Sequence, residues 1–141
     1  MEMPKTKEEF ECLMKARSQK YHHDAGYMCL IRCNLDGTPA DAESKRKVCE
    51  IQKIAIGSDT AYMYCTEVFH APHDIKMVYD TVIPEGTLVR RVVLEMSEKE
   101  MKSWNRLYYK QISGVKPKRS TESLDHPSGA ITMCAFPGGC E

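Results

Sequence analysis

Zinc is held by imidazole nitrogens and thiolate sulfurs that converge on one point, and the chain offers four such donors in two short stretches. His70 and His73 stand three residues apart in a loop that begins at a strand end, where two rings can turn towards one another. Cys134 and Cys140 flank Phe136-Pro137-Gly138-Gly139, a turn able to bring two sulfurs together. His22-His23-Asp24 closes the first helix and could add a further group. The pair Cys29 and Cys33 fails on geometry. On one strand they would lie about 13 Å apart, far beyond the span of two bonds of about 2.3 Å to one ion. Zinc on His70, His73, Cys134 and Cys140 is therefore the alternative reading, with no cofactor the primary one. A thiol nucleophile finds no support, because alternation turns Cys65 into the core, where a thiol is inert. The chain contains no Walker loop, no Gly-x-Ser-x-Gly elbow, no His-Glu-x-x-His and no dinucleotide fingerprint. The residues lean away from an enzyme.

Anion recognition rests on a second group. Arg90 and Arg91 interrupt an otherwise apolar strand, and alternation sends them to opposite faces. An arginine on a half-buried face needs a carboxylate such as Glu67 or Asp80, or an anionic ligand. Tyr62 and Tyr64 share one face of a neighbouring strand. Lys116, Lys118 and Arg119 belong to a late stretch, Lys110 to Arg119, with four basic residues and no acid. Together Arg90, Arg91, Tyr62, Tyr64, Lys116, Lys118 and Arg119 form a basic and aromatic set suited to a small nucleotide-like anion or to a partner protein. Single-stranded nucleic acid, which stacks on aromatics and tracks basic grooves, is the second alternative. Lys and Arg number 20 against 20 Asp and Glu, so the strong positive excess of a general nucleic-acid binder is absent.

The elements that must position these residues follow from capping signals and periodicity. Thr6-Lys7-Glu8-Glu9 has the form of a capping box, and Phe10, Leu13, Met14, Arg17 and Tyr21 recur at helical spacing. These predict a helix over about 6–21, with Cys12 packed beside the stripe. Alternating apolar residues predict strands over about 27–35, 47–56, 60–69, 75–82 and 87–96, with a hairpin around Gly57-Ser58. Thr38-Pro39-Ala40-Asp41 could cap a short helix, and the polar segment to Lys47 reads as a surface connection. Ile83-Pro84-Glu85-Gly86 reads as a type I turn. Ser97, Glu100 and the stripe Met101, Trp104, Tyr108 and Ile112 predict a helix over about 98–112. Residues 114–129 read as a polar loop and 130–136 as a last strand.

The fold class expected is α+β: one domain over 1–141, an antiparallel meander of about five or six strands, and two amphipathic helices packed on it. No apolar run reaches the length of a membrane span, and the N-terminus lacks the core of a signal peptide. A cytoplasmic location follows, in which the seven cysteines would stay thiols. Nine methionines and the exposed edges of a small sheet suit adaptable contacts, including a homo-oligomer. The function expected is a non-enzymatic binding or regulatory one.

Overall fold

The structure is a computed structural model and describes residues 4–77, 81–108, 116–119 and 131–133. Its order is α1 (Lys7–Lys20), β1 (Ala25–Arg32), α2 (Ala42–Gly57), β2 (Tyr62–Thr66), β3 (Phe69–His70), β4 (Ile75–Lys76), β5 (Val82–Ile83), β6 (Leu88–Met96), α3 (Glu98–Tyr108), β7 (Lys116–Arg119) and β8 (Ile131–Met133). Among the described residues, three helices and an antiparallel sheet of six strands make an α+β fold. None of the described helices is long and apolar enough to cross a membrane.

Two helices start as their sequences dictate, with one variation each. Thr6 Oγ1 accepts from the Glu9 amide at 3.1 Å, while the Glu9 carboxylate reaches back to the amide of Lys5 rather than Thr6. Ser97 Oγ accepts from the Glu100 amide, but Glu100 takes the amide of Asp59 across the fold. Each device satisfies amides that a helix start leaves without internal partners. Phe10, Met14 and Arg17 turn the buried face of α1 inward. Arg17 Nη1 donates to the carbonyls of Ala55 and Ala61, tying α1 to the connection between α2 and β2. Cys12, expected to pack, is exposed.

The largest departure from the sequence expectation is residues 47–56, which form the second half of α2 and not a strand of a hairpin. Its buried positions are Ser44, Lys47, Val48, Ile51, Gln52, Ile54 and Ala55, a recurrence of three and four that only a helix can turn to one side. Asp41 caps it, Oδ1 accepting from the Ser44 amide at 2.8 Å. The stretch read as a surface connection is its first two turns. Burial alone would raise the Asp41 pKa; the hydrogen bonds from Ser44 and the Arg32 charge outweigh that and hold it below the usual carboxylate range.

With a helix between β1 and β2, the meander cannot form. The sheet order is β7-β1-β6-β2-β8, with β3 also on β6. The long β6 is therefore the central strand, paired with β1 from Ala25–Met96 to Arg32–Val89 and with β2 from Tyr62–Glu95 to Cys65–Val92. Residues 116–119, expected in a polar loop, are a strand on β1. The strand expected over 75–82 is divided into β4 and β5, which pair with each other. The turn before β6 also closes one residue later than expected. The Thr87 amide donates to the Pro84 carbonyl, and Gly86 sits third with φ +87, the sign a type II turn requires there.

Register separates two faces. Tyr27, Leu94 and Met63 form one row and Cys29, Val92 and Cys65 the next. Both rows belong to the main core, together with Phe10 and Met14 of α1, Ile51 and Ile54 of α2, and Met101 of α3. All three helices thus cover one face. On the other, a smaller cluster of Ala71, Ile83 and Val89, with Leu30, Phe69, Ile75 and Met77 against it, lies beneath the β4–β5 segment.

Candidate functional site

The face opposite the helices collects most of the basic and aromatic set. Tyr62 is paired with Glu95, Glu95 with Gly26, and Gly26 with Lys118, which makes one row across four strands. The next row runs Lys116, Met28, Val93, Tyr64 and Met133. Arg91 follows beside Leu30. Its amide donates to Thr66 Oγ1 at 3.1 Å, and the side chain is half-buried. Arg119 stands opposite Ala25, in the alternate register to Lys116 and Lys118.

The rings of Tyr62 and Tyr64 lie 5.4 Å apart at 33°, and His23 continues the series 5.8 Å from Tyr62. His23 Nε2 is 2.9 Å from the Thr60 carbonyl, so that nitrogen carries the proton. Burial, and then the adjacent Glu95 carboxylate, push the Tyr64 phenol well above its ordinary pKa; Tyr62 is shifted in the same direction by the same two causes. Both phenols remain protonated donors at neutral pH. Tyr64 spends its proton on Glu95 and is only 5% exposed, so its ring is not a free stacking surface. Tyr62 and His23 are half-buried and present the accessible end of the series.

Arg90 stands apart. It is paired with Ile31 on the helix-bearing face, as alternation from Arg91 requires. Its hydrogen-bond partners among the described residues are backbone carbonyls, not Glu67. Its Nε donates to the Thr66 carbonyl at 2.8 Å and its Nη1 to the Gly37 carbonyl at 3.3 Å. The guanidinium thereby joins the turn after β1 to the end of β2. Burial lowers its pKa, against the opposing pull of Cys33 and Asp36. Asp80, the other carboxylate expected as a partner, lies outside the described residues.

This arrangement gives a direct test of Arg90 as a brace. A Cβ on Gly37 would fall 2.3 Å from Arg90 Nη1, and Gly37 has φ +88. Gly37→Ala therefore costs about 1–2 kcal/mol in backbone strain plus displacement of the guanidinium. Arg90→Ala costs about 1–3 kcal/mol by stranding the two carbonyls. The double variant is expected to lose less than the sum, because removing the guanidinium removes the clash. Urea melts of the four proteins measure this; strict additivity would refute the brace.

The zinc alternative is not assembled among the described residues. His70 and His73 are both exposed, and His73 Nδ1 is 2.8 Å from the Asp74 carbonyl. No group of three or more described His, Cys, Asp or Glu side chains could hold a metal ion. Cys134 and Cys140 lie outside the described residues. Cysteine chemistry differs from expectation at one position. Cys65 is buried on the core side as predicted, but it is disulfide-bonded, whereas Cys12, Cys29 and Cys33 are free.

Sequence reasoning did not single out Glu95 and Gly26. Glu95 was hidden as one polar residue in an apolar strand, yet it links both tyrosines electrostatically. Gly26 carries no chemical signal in the sequence, although it keeps backbone bare between Lys118 and Glu95. Comparison with protein-family models, curated proteins and solved structures finds no match to this chain.

Proposed function

We propose that this chain is a cytoplasmic binding protein that recognises a small nucleotide-like anion through the sheet face opposite its helices. One observation carries the reading: the register row Tyr62, Glu95, Gly26 and Lys118, with Arg91 two positions along β6 from Val93. An accessible aromatic edge at Tyr62 and His23 suits a base or other planar group, and the basic positions of β7 and Arg91 suit its charge. Glu95 supplies an acceptor for an amino group, so the face favours a ligand with donor and anion at opposite ends. A partner protein presenting the same chemistry would use the same surface, and two copies could meet along the adjoining sheet edge.

Calorimetric titration with nucleoside mono-, di- and triphosphates tests this directly. Tyr62→Ala and Arg91→Gln are each expected to weaken binding about tenfold or more, while Arg90→Gln changes stability with little change in affinity. Absence of binding across the series, or affinities indifferent to Tyr62 and Arg91, would reject the reading. Steep weakening with added salt for an oligonucleotide, stronger than for any mononucleotide, would instead assign the face to single strands.

A further inference from the structure

His23 lies between α1 and β1, and two contacts fix its ring. Nε2 donates to the Thr60 carbonyl at 2.9 Å, and Tyr62 packs 5.8 Å away between it and Tyr64. A carbonyl oxygen only accepts, so Nε2 carries a proton whatever the charge of the ring. The neutral ring then has its lone pair on Nδ1, and a second proton can go only there. Nδ1 has no hydrogen-bond partner among the described residues, and it is not one of the buried polar atoms sealed from solvent. Protonation therefore adds a charge and a donor at the accessible end of the aromatic series, and it breaks no bond that holds the ring.

We propose that His23 Nδ1 is a proton-dependent anion contact of this face: the ligand's phosphate binds the imidazolium, and binding takes up one proton. This rests on the reading of the face as a site for a nucleotide-like anion. The proton comes from solvent, and no covalent bond to the ligand forms. A charge-assisted N–H to a phosphate oxygen is stronger than a neutral one. By linkage, the anion raises the proton affinity of the ring by the factor through which the proton raises anion affinity. Arg91 cannot act in this way, because a guanidinium keeps its charge throughout. The titratable groups that meet here are His22 and Asp24 on the same segment, Asp59 beside Thr60, Tyr62 of β2, Glu95 of β6 opposite Tyr62, and Glu98 of α3, whose amide donates to Asp24. Imidazole changes charge between about pH 5 and 8, whereas carboxyl and phenol groups ordinarily titrate outside that range. His22 is thus the other imidazole to control for; it is 88% exposed, with Asp24 4.0 Å away.

The test titrates one nucleoside monophosphate into the full chain, His23→Gln and His22→Gln by calorimetry from about pH 5.5 to 8. Comparing the proteins at each pH cancels the phosphate's own ionisation, which falls in the same range. Wild-type affinity relative to His23→Gln should grow about fivefold or more from the top of that range to the bottom. In two buffers of different ionisation heat, wild type and His22→Gln should take up more protons than His23→Gln. Nitrogen-15 spectra of the ring should show Nδ1 gaining the proton while Nε2 stays bonded to Thr60, with Nδ1 holding it to higher pH when ligand is bound. A ratio that does not change with pH, equal proton uptake in all three proteins, or release of Nε2 on protonation would overturn the proposal and leave the anion face standing. No binding of any nucleotide at any pH would overturn both. Should His23→Gln fail to fold, the ring spectra of wild type with and without ligand still decide it.

Discussion

Gly26→Ala is expected to cost about 3 kcal/mol or more, a large share of the roughly 5–15 kcal/mol that holds a domain of this size folded. A Cβ at this position would lie 1.9 Å from the Leu94 carbonyl oxygen and 2.9 Å from Glu95 Cα. Both obstacles are backbone, and both belong to the central strand β6. No rotamer change relieves the contact, so β1 must separate from β6 where Gly26 pairs with Glu95. That separation also loosens Ala25–Met96 and Tyr27–Leu94, whose side chains are in the main core. Gly86 supplies the control. It has φ +87 but nothing within 4 Å of its added Cβ, so Gly86→Ala should cost only about 1–2 kcal/mol of backbone strain. Urea unfolding followed by circular dichroism ranks the two. If Gly86→Ala proves the more damaging, the close approach of β1 and β6 at Gly26 is wrong.

The Gly26 contact shows why local elements were legible in the sequence and their arrangement was not. Thr6, Ser97 and the alternation of β6 are signals contained within a few residues, and the structure begins those elements within about a residue of where the sequence places them, the expected end of the last helix at 109–112 lying outside the described residues. Residues 47–56 misled because Val48, Ile51, Ile54 and Ile56 are β-branched, a preference worth little beside the burial gained by turning Val48, Ile51 and Ala55 to one side. With that segment a helix, β1 and β2 run parallel with β6 between them, an arrangement that no nearest-neighbour rule recovers. Lys116-Pro117-Lys118-Arg119 carries no apolar signal at all; it is a strand because β1 offers it an edge.

The candidate site divides along the same line. Alternation alone places Tyr62 with Tyr64 and parts Arg90 from Arg91, and the register agrees. The expectation that a half-buried arginine needs a carboxylate or a ligand overlooked a third solution, backbone carbonyls. Arg90 takes the carbonyls of Thr66 and Gly37, and Arg17 those of Ala55 and Ala61. Carbonyls left over at turns are invisible in a sequence, because they depend on which backbone groups the sheet leaves unpaired.

Stability should fall steeply on the alkaline side. Burial pushes the Cys29 thiol from 9.0 up to about 12, with Lys47 opposing the shift and Glu50 adding to it. Burial likewise moves the Tyr27 phenol from 10.0 to about 12. Both groups are acids whose folded pKa is raised, so above the unfolded value the folded chain retains a proton that the unfolded chain has lost. The unfolded state then binds fewer protons, and stability decreases as pH rises. The contribution is intact below about pH 9 and is lost between there and about pH 12. Each group costs at most about 1.4 kcal/mol per pH unit inside its own window, so the pair should remove roughly 4 kcal/mol by about pH 11. Tyr64 is shifted upward as well and steepens the far end. Tyr27→Phe keeps the ring and deletes the titrating group; Cys29→Ala deletes the thiol at the cost of a small cavity. Each variant should start less stable or unchanged at about pH 8 and lose less than wild type on the way to about pH 11, with the double variant the flattest. Urea midpoints across that range measure the slopes. Parallel profiles for wild type and the double variant would mean that neither group titrates with folding, and that the row Cys29, Val92 and Cys65 is open to water.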